Sequence, residues 1–130
     1  MNTIKIAKPR IDIDAEILES IQAETERCTI VHCHLISDGP RFLRIWPETF
    51  LIEDTGKRRK LIKAFNISRM PQWTYHEVKN GRIYFSLVFE GLGKGCNSFY
   101  LLEDIPEPNG FYSAVILRNK TDVYEAAVFT

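Results

Sequence analysis

From Arg82 to Glu90 the chain reads Arg-Ile-Tyr-Phe-Ser-Leu-Val-Phe-Glu. In an extended chain, Ile83, Phe85, Leu87 and Phe89 share one side, and Tyr84, Ser86, Val88 and Glu90 share the other. Side chains of a strand alternate between faces, so this period of two predicts a half-buried strand packed against a second layer. The neighbouring segments carry the same signal. Thr29–Ile36 is rich in β-branched residues and stops at Ser37-Asp38-Gly39-Pro40, a strong turn. Arg41–Trp46 follows and stops at Pro47, and the two runs are expected to pair as a hairpin. Thr49–Ile52 and Lys57–Phe65 flank Glu53-Asp54-Thr55-Gly56, which predicts a second hairpin with Gly56 free to take positive φ.

Asn66–Lys79 has no clear period, is interrupted by Pro71, and is expected to be a loop crossing between sheets. Asn80-Gly81 is the strongest short turn signal in the chain. Gly91–Gly95 reads as a loop, and Ser98–Glu103, Phe111–Arg118 and Val123–Phe129 read as strands. Within Asp14–Glu26, Ile17, Leu18 and Ile21 fit a helix that Asp14 would cap, whereas Ile11, Ile13 and Ile17 fit one face of a strand. The uniform β character elsewhere favours the strand. About eight short strands punctuated by Gly, Pro and Asn are the pattern of an all-β sandwich or barrel.

A chain of 130 residues is one domain's worth, with residues 1–10 read as a flexible arm. Seventeen basic and 17 acidic residues leave no net charge, which argues against nucleic acid or an anionic membrane as a partner. No apolar run reaches the ~18 residues of a membrane-spanning helix. Met1–Arg10 has charge but no apolar core, so it is not a signal peptide; read literally the chain is cytoplasmic, and with a leader removed it would belong to the cell envelope. Three cysteines leave at least one thiol unpaired. Cys28 and Cys33 would lie on opposite faces of one strand about 16 Å apart, too far to bond. Pairing of Cys96 with either stays open, beside the simpler reading of three small buried hydrophobes.

His32 and His34 share a strand face and could ligate a metal with His76 or a carboxylate as third ligand. A His-x-His pair is also what a half-exposed strand face carries, and no metal or other cofactor is expected. Gly91-Leu92-Gly93-Lys94-Gly95 suggests a phosphate cradle but lacks the helix start such a loop needs. Lys57-Arg58-Arg59-Lys60 reads as the solvated edge of a hairpin, its charge blocking strand addition. Glu53, Asp54, Glu90, Glu103 and Asp104 fall near strand ends, where paired carboxylates could do acid–base work or hold calcium, but strand ends cluster at two poles and such proximity is expected by chance. Among the aromatics, Trp46 reads as core. Trp73, Tyr75 and Tyr112 are the candidates for a recognition surface.

Three blocks also carry a resemblance: Arg44-Ile-Trp-Pro-Glu-Thr-Phe-Leu-Ile-Glu-Asp-Thr-Gly-Lys57, Phe85-Ser-Leu-Val-Phe-Glu-Gly-Leu92 and Phe99-Tyr-Leu-Leu-Glu103. In this order they are similar to immunoglobulin-like β-sandwich domains of unknown function that occur as non-catalytic modules of bacterial cell-envelope proteins. Gly93 stands where that pattern has Pro. The resemblance implies an immunoglobulin-like antiparallel β-sandwich of about seven to nine strands and carries over no catalytic residue. The expected role is a non-enzymatic protein-binding or structural module, with homodimerisation open. The rivals are a small-ligand-binding β-barrel and a metal-dependent enzyme using His32 and His34.

Overall fold

The computed structural model describes residues 27–130. The arm at 1–10 and the ambiguous segment Asp14–Glu26 lie outside them. The described chain holds eleven strands: β1 (Cys28–Ile36), β2 (Arg41–Ile45), β3 (Thr49–Glu53), β4 (Arg58–Phe65), β5 (Ser68–Arg69), β6 (Thr74–His76), β7 (Arg82–Glu90), β8 (Ser98–Glu103), β9 (Tyr112–Ser113), β10 (Ile116–Leu117) and β11 (Val123–Phe129). The all-β expectation holds.

The strand order departs from an immunoglobulin-like sandwich. The large sheet runs β10-β8-β3-β4-β7-β1-β11-β9, and an added β8–β9 pairing, Leu102 opposite Tyr112, brings β9 back to β8. Seven strands therefore close into a barrel, with β10 attached outside the ring along β8. Nor is the sheet wholly antiparallel, since β1 runs parallel to β11 with Ile30 opposite Val123. Closure removes the free edges that a two-layered sandwich leaves. A register shift between Leu61 and Lys63, where β4 meets β7, adds the local bend that a closing sheet needs.

The expected hairpin of β3 and β4 forms, with Leu51 opposite Arg59 and Gly56 at φ 92°. The expected hairpin of β1 and β2 does not. β1 lies between β7 and β11, whereas β2 leaves for a separate small sheet, β5-β2-β6. Burial gives the reason. Thr29, Ile30 and Val31 are all buried, so the start of β1 is covered on both faces and suits the middle of a sheet. Arg41–Ile45 is covered on one face only, with Leu43 and Ile45 buried and Phe42 exposed.

The interior of the barrel is filled by side chains. Ile83, Phe85, Leu87 and Phe89 of β7 all point inward, as their spacing predicts, and pack with Val31, Phe99 and Leu101. Leu43 and Ile45 join this same core from the small sheet. Val88, on the opposite side of β7, joins a second cluster with Cys28 and Ile30. Cys28 and Cys33 thus serve different clusters, as their spacing requires. All three cysteines are buried, and Cys33 and Cys96 are thiols outside any disulfide. The expected strand Phe111–Arg118 is broken into β9 and β10. The Ser113 hydroxyl accepts the Leu101 amide at 2.9 Å and donates to the Ala114 carbonyl at 2.8 Å. A side chain there takes the place of a ladder bond, and the two short strands part around it.

Candidate functional site

The small sheet presents one face to the core and one to solvent. Along β2 the pleat sends Leu43 and Ile45 inward and leaves Phe42 and Arg44 on the other side, with Trp46 continuing that alternation. On β6, His76 is buried while Tyr75 is exposed, and Trp73 precedes it on the same side by spacing. Phe42 stands opposite Tyr75, the two rings meeting edge-on with centroids 5.2 Å apart. The Arg44 guanidinium lies 4.0 Å from the Trp73 ring centre and 5.7 Å from that of Trp46. Its Nη1 donates to the Pro71 carbonyl at 3.3 Å, and Glu107 stands 3.9 Å away. Arg44 is therefore a brace that fixes both tryptophans, by cation–π attraction and by contact along its stem.

A groove of about 390 Å³ runs from this face to the segment after β8. Phe42, Trp46, Trp73 and Pro108 give it apolar walls, and Arg41 and Glu107 add charge. Glu103 also lines it, although that side chain is buried. The Glu103 carboxylate accepts the Trp46 amide at 2.8 Å and the Phe111 amide at 3.0 Å. One side chain so ties the end of β2 to the strand that closes the barrel. Burial raises the Glu103 carboxyl above its ordinary range, and the two amide bonds offset that only in part.

Glu53 is the buried carboxylate at the other end of β3, and it behaves in the opposite sense. Burial pushes it up, but bonds from Arg59 at 2.6 Å, the Gly93 amide at 2.8 Å and Thr55 at 2.7 Å prevail and hold it below 4.5. The sign of each linkage follows. Glu53 contributes stability that is present above the unfolded carboxyl value and is lost as pH falls through the folded one. Glu103 has a raised folded value, so its contribution is present at low pH and is lost as pH rises through that value. Denaturation midpoints measured across the acid range should fall below pH 4.5 in the wild type, and Glu53→Gln should flatten that limb. An unchanged acid slope in Glu53→Gln would exclude this assignment.

The structure scatters the other candidates. His32 shares a hydrogen bond of 2.7 Å between its Nδ1 and Ser86 Oγ, and His34 sits 6.3 Å from the Tyr84 ring. His76 is buried on β6 with its Nε2 lacking a hydrogen-bond partner among the described residues, and burial lowers its pKa. Among the described residues no three His, Cys, Asp or Glu side chains gather as a metal site would require. Tyr112 is exposed on β9, its ring tilted against that of Phe129 at 5.5 Å, and it is not among the residues that line the groove. Trp46, expected in the core, is half-buried and lines the groove instead, because it follows Phe42 and Arg44 on the outward side of β2. Phe42 was missed as a surface residue; its alternation with Leu43 and Ile45 carried the signal.

Nor does the basic run sit at an edge. β4 lies between β3 and β7, with Arg58 on Asp104 at 3.1 Å and Arg59 on Glu53 at 2.6 Å. Among the described residues no helix is long and apolar enough to cross a membrane. No family model, curated protein or solved structure matches this chain.

Proposed function

We propose that the chain is a non-enzymatic protein-binding module whose contact face is built by Phe42, Trp73 and Tyr75. One observation carries the reading: these three large aromatics are 62%, 55% and 52% exposed, side by side on one small sheet. Exposed apolar side chains scattered singly need no explanation, but a cluster in which Arg44 braces Trp73 and Phe42 packs edge-on against Tyr75 suits a partner. Rigid aromatics lose little entropy on binding and dominate interface energetics. The rival reading of a small-ligand barrel gains from ring closure, but the lumen holds Phe85, Phe89, Phe99 and Leu101. A small ligand would have to use the outer groove.

The test compares capture from an extract of the native host by the wild type, Trp73→Ala and Tyr112→Ala. A partner held by the face should be retained by Tyr112→Ala. Trp73→Ala should weaken its retention by about 30-fold, the size of an interface hot spot. Equal retention by all three proteins would remove the face from consideration.

A further inference from the structure

At another place on the surface, the loop between β7 and β8 meets the turn between β10 and β11. A hollow of about 430 Å³ lies there, lined by Arg27, Lys94, Arg118 and Lys120 with Cys96 and two asparagines. Among the described residues no carboxylate lines it. We propose that this hollow binds a phosphate-bearing anion.

The walls are stiff. Arg118 forms a two-point pair with Asp122, at 3.2 Å from Nε and 3.1 Å from Nη2. Its remaining Nη1 donates to the Gly93 carbonyl and, at 3.2 Å, to the Cys96 carbonyl. Arg27 donates to the Leu92 carbonyl at 3.1 Å, and Glu53 takes the Gly93 amide from the other side. The glycine-rich loop is thus pinned at Leu92, Gly93 and Cys96, which leaves Lys94 and Gly95 as its exposed tip. A side chain on Gly95 would meet nothing within 4 Å, so an anion can approach that stretch of main chain. Lys120 reaches the hollow from the facing turn, which Asn119 holds by accepting the Thr121 and Asp122 amides at 3.0 and 2.7 Å.

The more basic-looking sequence run has three carboxylates standing against it, those of Asp104, Glu53 and Glu90. Arg58 and Arg59 are paired with Asp104 and Glu53, and the Lys60 amide is bonded to the Glu90 carboxylate. In the hollow, Asp122 offsets Arg118, and Asp54 stands nearby on the Asn97 amide at 3.3 Å. With Arg118 offset, Lys94 and Lys120 outweigh Asp54 among the described residues, so the local field is positive although the chain as a whole is neutral.

Calorimetric titration of the full chain with pyrophosphate tests the idea. The wild type should bind, with affinity falling as salt rises. Lys94→Glu with Lys120→Glu should lose at least about tenfold, roughly what an unfavourable charge pair costs at a partly exposed site. The neutral pair Lys94→Gln with Lys120→Gln, which places no new charge on the fold, should lose less but still bind more weakly than the wild type. Parallel arms with a nucleoside triphosphate and with vesicles containing an anionic phospholipid identify the source of the phosphate, and tighter binding in either arm supports the site. Absence of pyrophosphate binding, or equal affinity in the wild type and both pairs, overturns it. So does an equal loss in Lys57→Glu.

Discussion

Truncating Phe89 to alanine is expected to destabilise the protein by about 3–5 kcal/mol, the range measured when a fully buried aromatic is removed. Phe89 is 0% exposed, sits in the main core cluster and stands opposite both Thr29 of β1 and Leu61 of β4. Its removal costs the transfer free energy of the ring and leaves a cavity that a closed ring of strands can collapse into only partly. Urea denaturation of the wild type and Phe89→Ala measures the difference. A loss below about 1 kcal/mol, typical of surface sites, would mean that β7 presents its other face to the core.

Replacement of Glu103 by alanine should cost about 2–4 kcal/mol, because it leaves the Trp46 and Phe111 amides without the acceptor they share. Phe111 is itself buried, so water has poor access to that amide. Glu103→Gln separates hydrogen bonding from charge. Its amide oxygen can still accept one of the two N–H groups, but its NH2 cannot accept the other, so the loss should be roughly half as large. Quenching of tryptophan fluorescence adds a local readout, since Trp46 and Trp73 line the groove that Glu103 underlies. Both variants unfolding at the wild-type midpoint would show that the two amides find other partners and that Glu103 is no tie.

Much of the fold was legible because burial here follows the pleat. β7, β8 and β11 begin and end at the residues their alternation predicts, and β3 and β4 pair around Gly56 as the turn requires. Legibility ended where pairing partners lie far apart in sequence. Nothing local in Thr29–Ile36 says that it will align with Val123–Phe129 rather than with the adjacent Arg41–Trp46 run, and that choice separates a barrel from a sandwich. The small strands β5 and β6 were lost in Asn66–Lys79 because two or three paired residues are too short to show a period.

Trp73 and Tyr75 were legible as surface aromatics because they fall in that irregular stretch. Their neighbour Phe42 was not, since an aromatic in a strand is usually core. The roles of Glu53 and Glu103 were hidden for a related reason. A carboxylate at a strand end looks the same whether it faces water or accepts two main-chain amides from remote segments.

The partnership of Ile30 with Val123 reaches almost from one end of the described chain to the other. Contacts so distant in sequence form slowly, because the intervening loop must close before anything rewards it. During synthesis the β3–β4 hairpin can form early, but β1 must wait for β11 before the ring is complete. Until β11 has left the ribosome, the side of β1 that will receive it remains an open template, exposed to whatever other extended chain arrives first.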